Sequence, residues 1–361
     1  MQLRKPQDDD RCHVVLPAFV PEFGDVIPEV RVRYETYGRL NAAGDNAILL
    51  CHALTGDAHA GDSEGAPGWW GPLIGPGRAL DTERYFVVCS NVLGGCAGTT
   101  GPASFVPGTT RAYGALFPEI SIRDMVRVQR QWLEMLGVTR LEAVIGGSMG
   151  GMQALEWAVM YPELCARTGV LAATPVFSAM GLAYNQVMRE AITSDPAYHG
   201  GDYAAHGVAP EAGLRIARML GMITYRTADL FEERFGRTTS DELRPEYQVG
   251  RYLRHHGDKL VARFDANAYL TLMRAMDGHD IGRARDGVAN AYARVRGHLS
   301  FVGIDDDLLY PAKAMQAATA KAQACGVHAT YTHIHSSYGH DAFLLEFAQL
   351  THWLHQFLSA C

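Results

Sequence analysis

The stretch Gly146-Gly147-Ser148-Met149-Gly150-Gly151 places a serine between glycines in the G-x-S-x-G spacing. The run before it, Leu141 to Ile145 (LEAVI), reads as a strand, and Met152 to Met160 has helical spacing and stops before Pro162. A strand that turns abruptly into a helix forces the serine into a strained conformation, and side chains at the flanking positions would clash. The bend holds the hydroxyl out as a nucleophile. It also aims the Met149 backbone N–H at the same spot, at the positive end of a helix. A glycine-rich turn around an ordinary serine is the bland alternative, and the strand–turn–helix context speaks against it.

Such a serine needs an imidazole base and a carboxylate, arriving in the order serine, acid, histidine. Asp305-Asp306-Asp307 follows the apolar run Leu299 to Ile304 (LSFVGI). Ser337-Tyr338-Gly339-His340-Asp341 follows a strand over Val327 to Ile334 and precedes a final helix over Asp341 to Leu358. Of 15 histidines, His333 and His335 are placed to belong to the strand, while His352 and His355 lie inside the final helix as surface or packing residues. His340 has the loop position, with a flexible glycine before it. Position does not separate the three aspartates, and a run of three acids is more often a solvated turn than a site.

The loop His52-Ala53-Leu54-Thr55-Gly56 follows the short apolar run Asn46 to Cys51 (NAILLC). In that position the Leu54 N–H can pair with Met149 to hold an oxyanion, each donor being worth roughly 3 kcal/mol. His52 and His59 find no third ligand at a sensible spacing, so no metal is expected. The glycine-rich segment Asn91 to Pro102 lacks the Gly-Lys-Ser/Thr of a phosphate loop and is no convincing dinucleotide fingerprint. It reads as a buried loop beneath the site, with a possible share in an acyl pocket.

The elements that must position these residues alternate. Strands are expected at Val30 to Thr36, Asn46 to Cys51, Tyr85 to Cys89 and Gly169 to Ala172. Ser121 to Leu136 is expected as a helix, with Ser121 as cap, Asp124 in its first turn and Gly137 after its end. From about Pro175 to Arg296 strand-like runs give way to Arg- and Met-rich amphipathic helices. Strand, helix (Pro311 to Cys325), strand and helix then resume. The organisation expected is a mostly parallel central sheet flanked by helices, with a catalytic core from residues 1–174 and 297–361 and a helical cap inserted at 175–296.

With 361 residues, 48% hydrophobic and 20% charged, the chain can bury a sizeable core. A net charge of −7 argues against a nucleic-acid surface but leaves room for a small basic pocket. The seven cysteines include no CxxC pair and suit reduced thiols of a cytoplasmic protein. Met1 to Pro6, with Asp8, Asp9 and Asp10 behind it, has no apolar signal core, and no apolar run reaches membrane-spanning length. The expectation is a soluble protein without a membrane partner.

With these residues in hand, the chain resembles the homoserine O-acetyltransferase family, acyl-CoA-dependent enzymes of the α/β-hydrolase superfamily. The likeness runs over nearly the whole chain. It is carried by CHALTGDAH (Cys51 to His59), GWW (Gly68 to Trp70), SNVLGGCAGTTGPAS (Ser90 to Ser104), GGSMGGMQALEWA (Gly146 to Ala158), ARMLGMITYR (Ala217 to Arg226), HDIGR (His279 to Arg283), GIDDDLLYP (Gly303 to Pro311) and YGHDAFL (Tyr338 to Leu344).

The resemblance implies that Asp307 is the catalytic acid, that Arg218 and Tyr225 bind an amino acid's carboxylate, and that Asp341 binds its ammonium. Residues seven apart lie two turns along one helical face, which suits the Arg218–Tyr225 pair. Asp306 stands where the family commonly has serine. The resemblance further implies a homodimer through cap helices, no permanently bound cofactor, and acyl-CoA, as acetyl-CoA, as co-substrate. Ser148 would carry the acyl group to homoserine in a ping-pong reaction of methionine biosynthesis. Succinyl-CoA as donor, serine as acceptor, an esterase of the same fold, and a non-enzymatic scaffold are the competing readings.

Overall fold

The computed structural model of the chain describes residues 12–63, 65–239 and 246–359. The expectations for Met1 to Asp10 and for Cys361 lie outside them. Eight strands form one sheet: β1 (His13–Leu16), β2 (Val30–Tyr37), β3 (Ala47–Cys51), β4 (Phe86–Ser90), β5 (Leu141–Gly147), β6 (Arg167–Leu171), β7 (His298–Ile304) and β8 (Ala329–Ile334). Their spatial order is β1-β2-β4-β3-β5-β6-β7-β8. β3 to β8 are mutually parallel, and β1 and β2 join one side antiparallel.

The central strands are buried at nearly every position, as a sheet covered by helices requires. Because β3 to β8 run the same way, the loops that leave their C-terminal ends gather on one edge. Those are the loops that begin at His52, Asn91, Ser148, Asp305 and His335.

α1 (Ile122–Met135) starts at Ser121, whose side chain accepts from the Asp124 amide while Asp124 reaches back to the Ser121 N–H. α2 (Met149–Met160) follows Ser148 directly and packs on β3, β5, β6 and α1. Between β6 and β7 come α3 (Ala179–Thr193), α4 (Glu211–Thr224), α5 (Ala228–Phe235), α6 (Gln248–Val261), α7 (Ala266–Asp277) and α8 (Val288–Tyr292). α4 packs against both α3 and α6, and α7 is buried nearly all round. α9 (Ala312–Ala324) lies on β7 and β8, and α10 (Phe347–Ser359) on β6. Among the described residues no helix is long and apolar enough to cross a membrane.

Two elements differ from the sequence expectation. The short edge strand β1 was not anticipated, since HVVL has no alternation to mark it. The final helix does not begin at Asp341: Gly339 to Leu344 form a 3-10 turn, and α10 starts only at Phe347. Gly339 has φ +62, outside the helical region, and the Asp341 amide donates to the Tyr225 carbonyl at 3.3 Å rather than into a continuous helix.

A buried ionic knot ties the segment between β6 and β7 to α1 and α2. Glu156 of α2 is 1% exposed. One carboxylate oxygen accepts from Arg123 Nε of α1 at 3.0 Å. The other lies 2.8 Å from Arg285 Nη2, close in distance but not aligned as a hydrogen bond. Arg123 Nη2 also donates to the carbonyls of Asp280 (3.1 Å) and Arg283 (2.7 Å) in the HDIGR stretch. Removing the carboxylate leaves nearly buried Arg285 without its carboxylate partner and Arg123 with Glu22 alone, 3.4 Å from Nη1. Glu156→Ala is therefore expected to cost about 3–5 kcal/mol of stability, read by urea unfolding. A loss within about 0.5 kcal/mol would show that the knot holds nothing.

Candidate active site

β5 ends in Gly146 and Gly147, and Ser148 turns the chain with φ 56° and ψ −124°. That is a positive-φ conformation held by a non-glycine residue, strain that the surroundings must enforce. The Ser148 amide donates to the Leu171 carbonyl at 2.9 Å, and its carbonyl accepts from Met152 at 3.1 Å. The glycines are there for close approach. A Cβ on Gly150 would stand 2.0 Å from the Cys51 carbonyl oxygen, and one on Gly146 would stand 2.2 Å from the Gly150 oxygen. Ser148 is 6% exposed, and its side chain caps no helix amide.

Leu54 lies in the loop after β3. Among the described residues neither the Leu54 nor the Met149 amide finds a hydrogen-bond acceptor. The two loops are braced from beneath by a buried polar chain that sequence reasoning missed. Gln153 Nε2 donates to the carbonyls of Met149 (3.2 Å) and His52 (3.4 Å). Gln153 Oε1 accepts from Gln129 Nε2 at 2.7 Å, and Gln129 Oε1 accepts from Trp157 Nε1 at 2.7 Å. Gln153 and Trp157 are one helical turn apart on α2 and Gln129 is on α1, and nothing in that placement distinguishes them from ordinary packing residues.

His52 is part of the same brace. Its Nε2 accepts from the Val92 amide at 3.1 Å and its Nδ1–H donates to the Ala53 carbonyl at 2.8 Å. Burial lowers its pKa, which suits a neutral ring with one donor and one acceptor. The glycine-rich loop closes on it, with Asn91 Nδ2 at 3.2 Å from Nε2. His59 instead pairs with Glu35 at 2.9 Å.

The structure separates the three aspartates by their partners. Asp307 and His340 are each 3% exposed, and His340 Nδ1 donates to Asp307 Oδ2 at 2.8 Å. Asp307 Oδ1 accepts from the amides of Leu309 (2.8 Å) and Tyr310 (2.9 Å). Asp305 turns away to His333 and His335, and Asp306 takes a positive φ of 50° at the bend. With Nδ1 committed to Asp307, Nε2 is the free nitrogen of His340. Burial lowers the His340 pKa, but the Asp307 charge and hydrogen bond outweigh it and raise the value above the ordinary imidazole range. Tyr310 links the parts: its ring stacks on His340 at 5.5 Å, and its buried hydroxyl faces Ser148 without closing a well-formed hydrogen bond.

Tyr225, at the C-terminus of α4, has its ring 5.7 Å from His340. The Arg218 guanidinium lies 5.5 Å from the centre of the Tyr225 ring and has no carboxylate partner among the described residues. Asp341 is not a free carboxylate. It pairs with Arg226 Nη2 at 3.0 Å, and no local spacing between the two residues foretells that ion pair. The Arg226 Nε and Nη1 atoms are buried without a partner.

The parallel sheet, the bend at its centre and the acid–imidazole pair at its C-terminal edge define an α/β-hydrolase fold, and a family model described as alpha/beta hydrolase fold matches residues 46–273. The chain is 47% identical over 356 residues to a curated homoserine O-acetyltransferase from Carboxydothermus hydrogenoformans, covering 96% of this chain and 94% of that one. It is 46% identical to that of Caulobacter vibrioides, covering 90% and 87%. A crystal structure of homoserine O-acetyltransferase from Bacillus anthracis is similar with TM-score 0.90 and 28% identity, covering 96% and 97%. The crystal structure of esterase E22 is similar with TM-score 0.89 and 30% identity, covering 96% and 99%. The chain belongs to the homoserine O-acetyltransferase family.

If neutral His340 activates Ser148, inactivation by a serine-directed phosphonate should slow as pH falls, by about tenfold per unit well below the His340 pKa. The raised pKa puts the midpoint above the ordinary value of about 6.5. Asp307→Asn should move that midpoint to lower pH and slow the limiting rate by about 10³- to 10⁴-fold. A midpoint unchanged by Asp307→Asn would dissociate the acid from the base.

Proposed function

We propose that the enzyme transfers an acetyl group from acetyl-CoA to the hydroxyl of L-homoserine, a step of methionine biosynthesis, through an acyl-Ser148 intermediate. The reading is carried by the Ser148 bend beside the Asp307–His340 pair, with the uncompensated Arg218 cation next to Tyr225 on the cap side. His340 Nε2 takes the Ser148 proton as Oγ attacks the thioester carbonyl. The Leu54 and Met149 amides receive the oxyanion. The C–S bond breaks, the proton passes from His340 to sulfur, and CoA leaves. Homoserine then enters, its carboxylate on Arg218 and Tyr225. His340 takes its hydroxyl proton, the oxygen attacks the acyl carbon, and Ser148 recovers the proton as its ester bond breaks.

The acceptor's ammonium is assigned to Asp341. Arg226 already satisfies one oxygen of that carboxylate, so the ammonium would share it rather than neutralise a lone charge. The acyl-serine must outlast water between the two half-reactions, and the helices between β6 and β7 supply the cover. The family's homodimer is assigned to the faces of those helices.

Hydrolysis is the second reading, because esterase E22 shares the fold over nearly the full chain. CoA release from acetyl-CoA with and without homoserine separates the two. A transferase should release CoA in steady state only with the acceptor, giving parallel double-reciprocal lines, and Ser148→Ala should abolish turnover. A matrix of acetyl- and succinyl-CoA against homoserine and serine, read by product mass, assigns donor and acceptor. Equal CoA release without any acceptor would overturn transfer.

Arg218→Ala should lower kcat/KM for the acceptor by about 10- to 150-fold, the worth of a charged hydrogen bond, and leave the acylation half-reaction unchanged. Burst measurements of acylation and steady-state kinetics together check this.

A further inference from the structure

Away from the Ser148 site, the carboxylate of Asp305, Nε2 of His333 and Nδ1 of His335 lie within 4.8 Å of one another, the one such group of potential metal ligands among the described residues. We propose that these three side chains form a binding site for a borderline divalent transition metal such as Zn²⁺, Co²⁺ or Ni²⁺. The sequence expectation was that both histidines merely belong to the strand.

The fold brings the donors together by register. β7 and β8 are parallel, with His333 beside Gly303 and Ile334 beside Ile304, and the Asp305 amide continues the ladder to the Ile334 carbonyl at 3.2 Å. Asp305 thus leaves β7 just where β8 ends. His333 and His335 are two residues apart and so fall on one side of the strand direction. Asp305 uses both oxygens, one 2.5 Å from His333 Nε2 and the other 3.1 Å from His335 Nδ1.

Two further contacts hold the ligands in place. The Tyr331 hydroxyl meets His333 Nδ1 at 2.6 Å, which fixes the ring and turns Nε2 to the cluster. A metal-bound histidine usually engages its second nitrogen in this way. His335 has an exposed side chain, but its backbone is gripped by Gln349 of α10, which accepts from its N–H at 3.1 Å and donates to its carbonyl at 2.8 Å.

Two imidazoles and one carboxylate are the ligands of Zn²⁺ and its neighbours rather than of Ca²⁺ or Mg²⁺, which call for oxygen. The exposed side of the cluster admits the ion and lets water complete the shell. Binding would replace the His–Asp hydrogen bonds with metal bonds. It would also clamp together the ends of β7 and β8, the two strands whose following loops carry Asp307 and His340.

The test uses tag-free full-length protein and Co²⁺. Calorimetry should show one equivalent bound with a micromolar Kd, and the visible spectrum should show d–d bands without sulfur charge transfer, since cysteines at other positions also bind such ions. Asp305→Asn and His335→Ala should each weaken binding by about tenfold or more. His335 lies at the surface, so its variant keeps the fold even if the other does not. Binding weaker than millimolar, undiminished binding in His335→Ala, or a thiolate charge-transfer band would overturn the site.

Discussion

A 2.8 Å hydrogen bond between His340 and Asp307 joins two loops that leave neighbouring parallel strands, and the proposed chemistry of the site depends on it. It selects one tautomer of the imidazole, frees Nε2, and raises the basicity of a ring whose burial would otherwise lower it. The bond forms without either residue reaching across open space. β7 and β8 deliver their loops to the same edge, the Asp307 carboxylate is pinned by two amides of its own loop, and the 3-10 turn presents His340. Tyr310 covers the imidazole and keeps it out of water.

On the other side of the site, rigidity comes from backbone carbonyls held by buried amide side chains. Gln153 reaches under both Met149 and His52, so the two loops that present unpaired amide donors are set by one residue. The missing Cβ atoms at Gly146 and Gly150 let the bend, the start of α2 and the end of β3 share one space. An amide donor helps a developing oxyanion most when nothing has to move to present it. Under the proposed reading of Leu54 and Met149 as oxyanion donors, this brace supplies that condition.

Much of this was readable in the chain. The bend at Ser148 is marked by a glycine pattern that stands in the sequence whatever it packs against, and the start of α1 by a Ser-x-x-Asp pair whose bonds are local. Short apolar runs marked the central strands, since burial on both faces leaves no other composition. What was not readable depended on partners distant in sequence. Three adjacent aspartates have identical chemistry. Only the packing of residues 333, 335 and 340 tells them apart, sending Asp305 to one pair of imidazoles and Asp307 to another ring. The same holds for Asp341, whose partner Arg226 arrives from the end of α4. The final helix was expected six residues too early because the 3-10 turn has helix-compatible residues, and the bond from Asp341 to Tyr225 is tertiary.

The Glu156 knot has an implication for how the molecule breathes. The segment between β6 and β7 looks like a detachable hood in the order of elements, yet Asp280, Arg283 and Arg285, near its return to the sheet, are stitched to α1 and α2 by charges with little access to water. Opening that end would separate a carboxylate from two guanidiniums, at a cost of several kcal/mol. The end of the segment that returns to β7 is therefore anchored to α1 and α2, and α3 is in turn fastened to α7 through the Asp277 carboxylate, which meets Arg189 and Asn185.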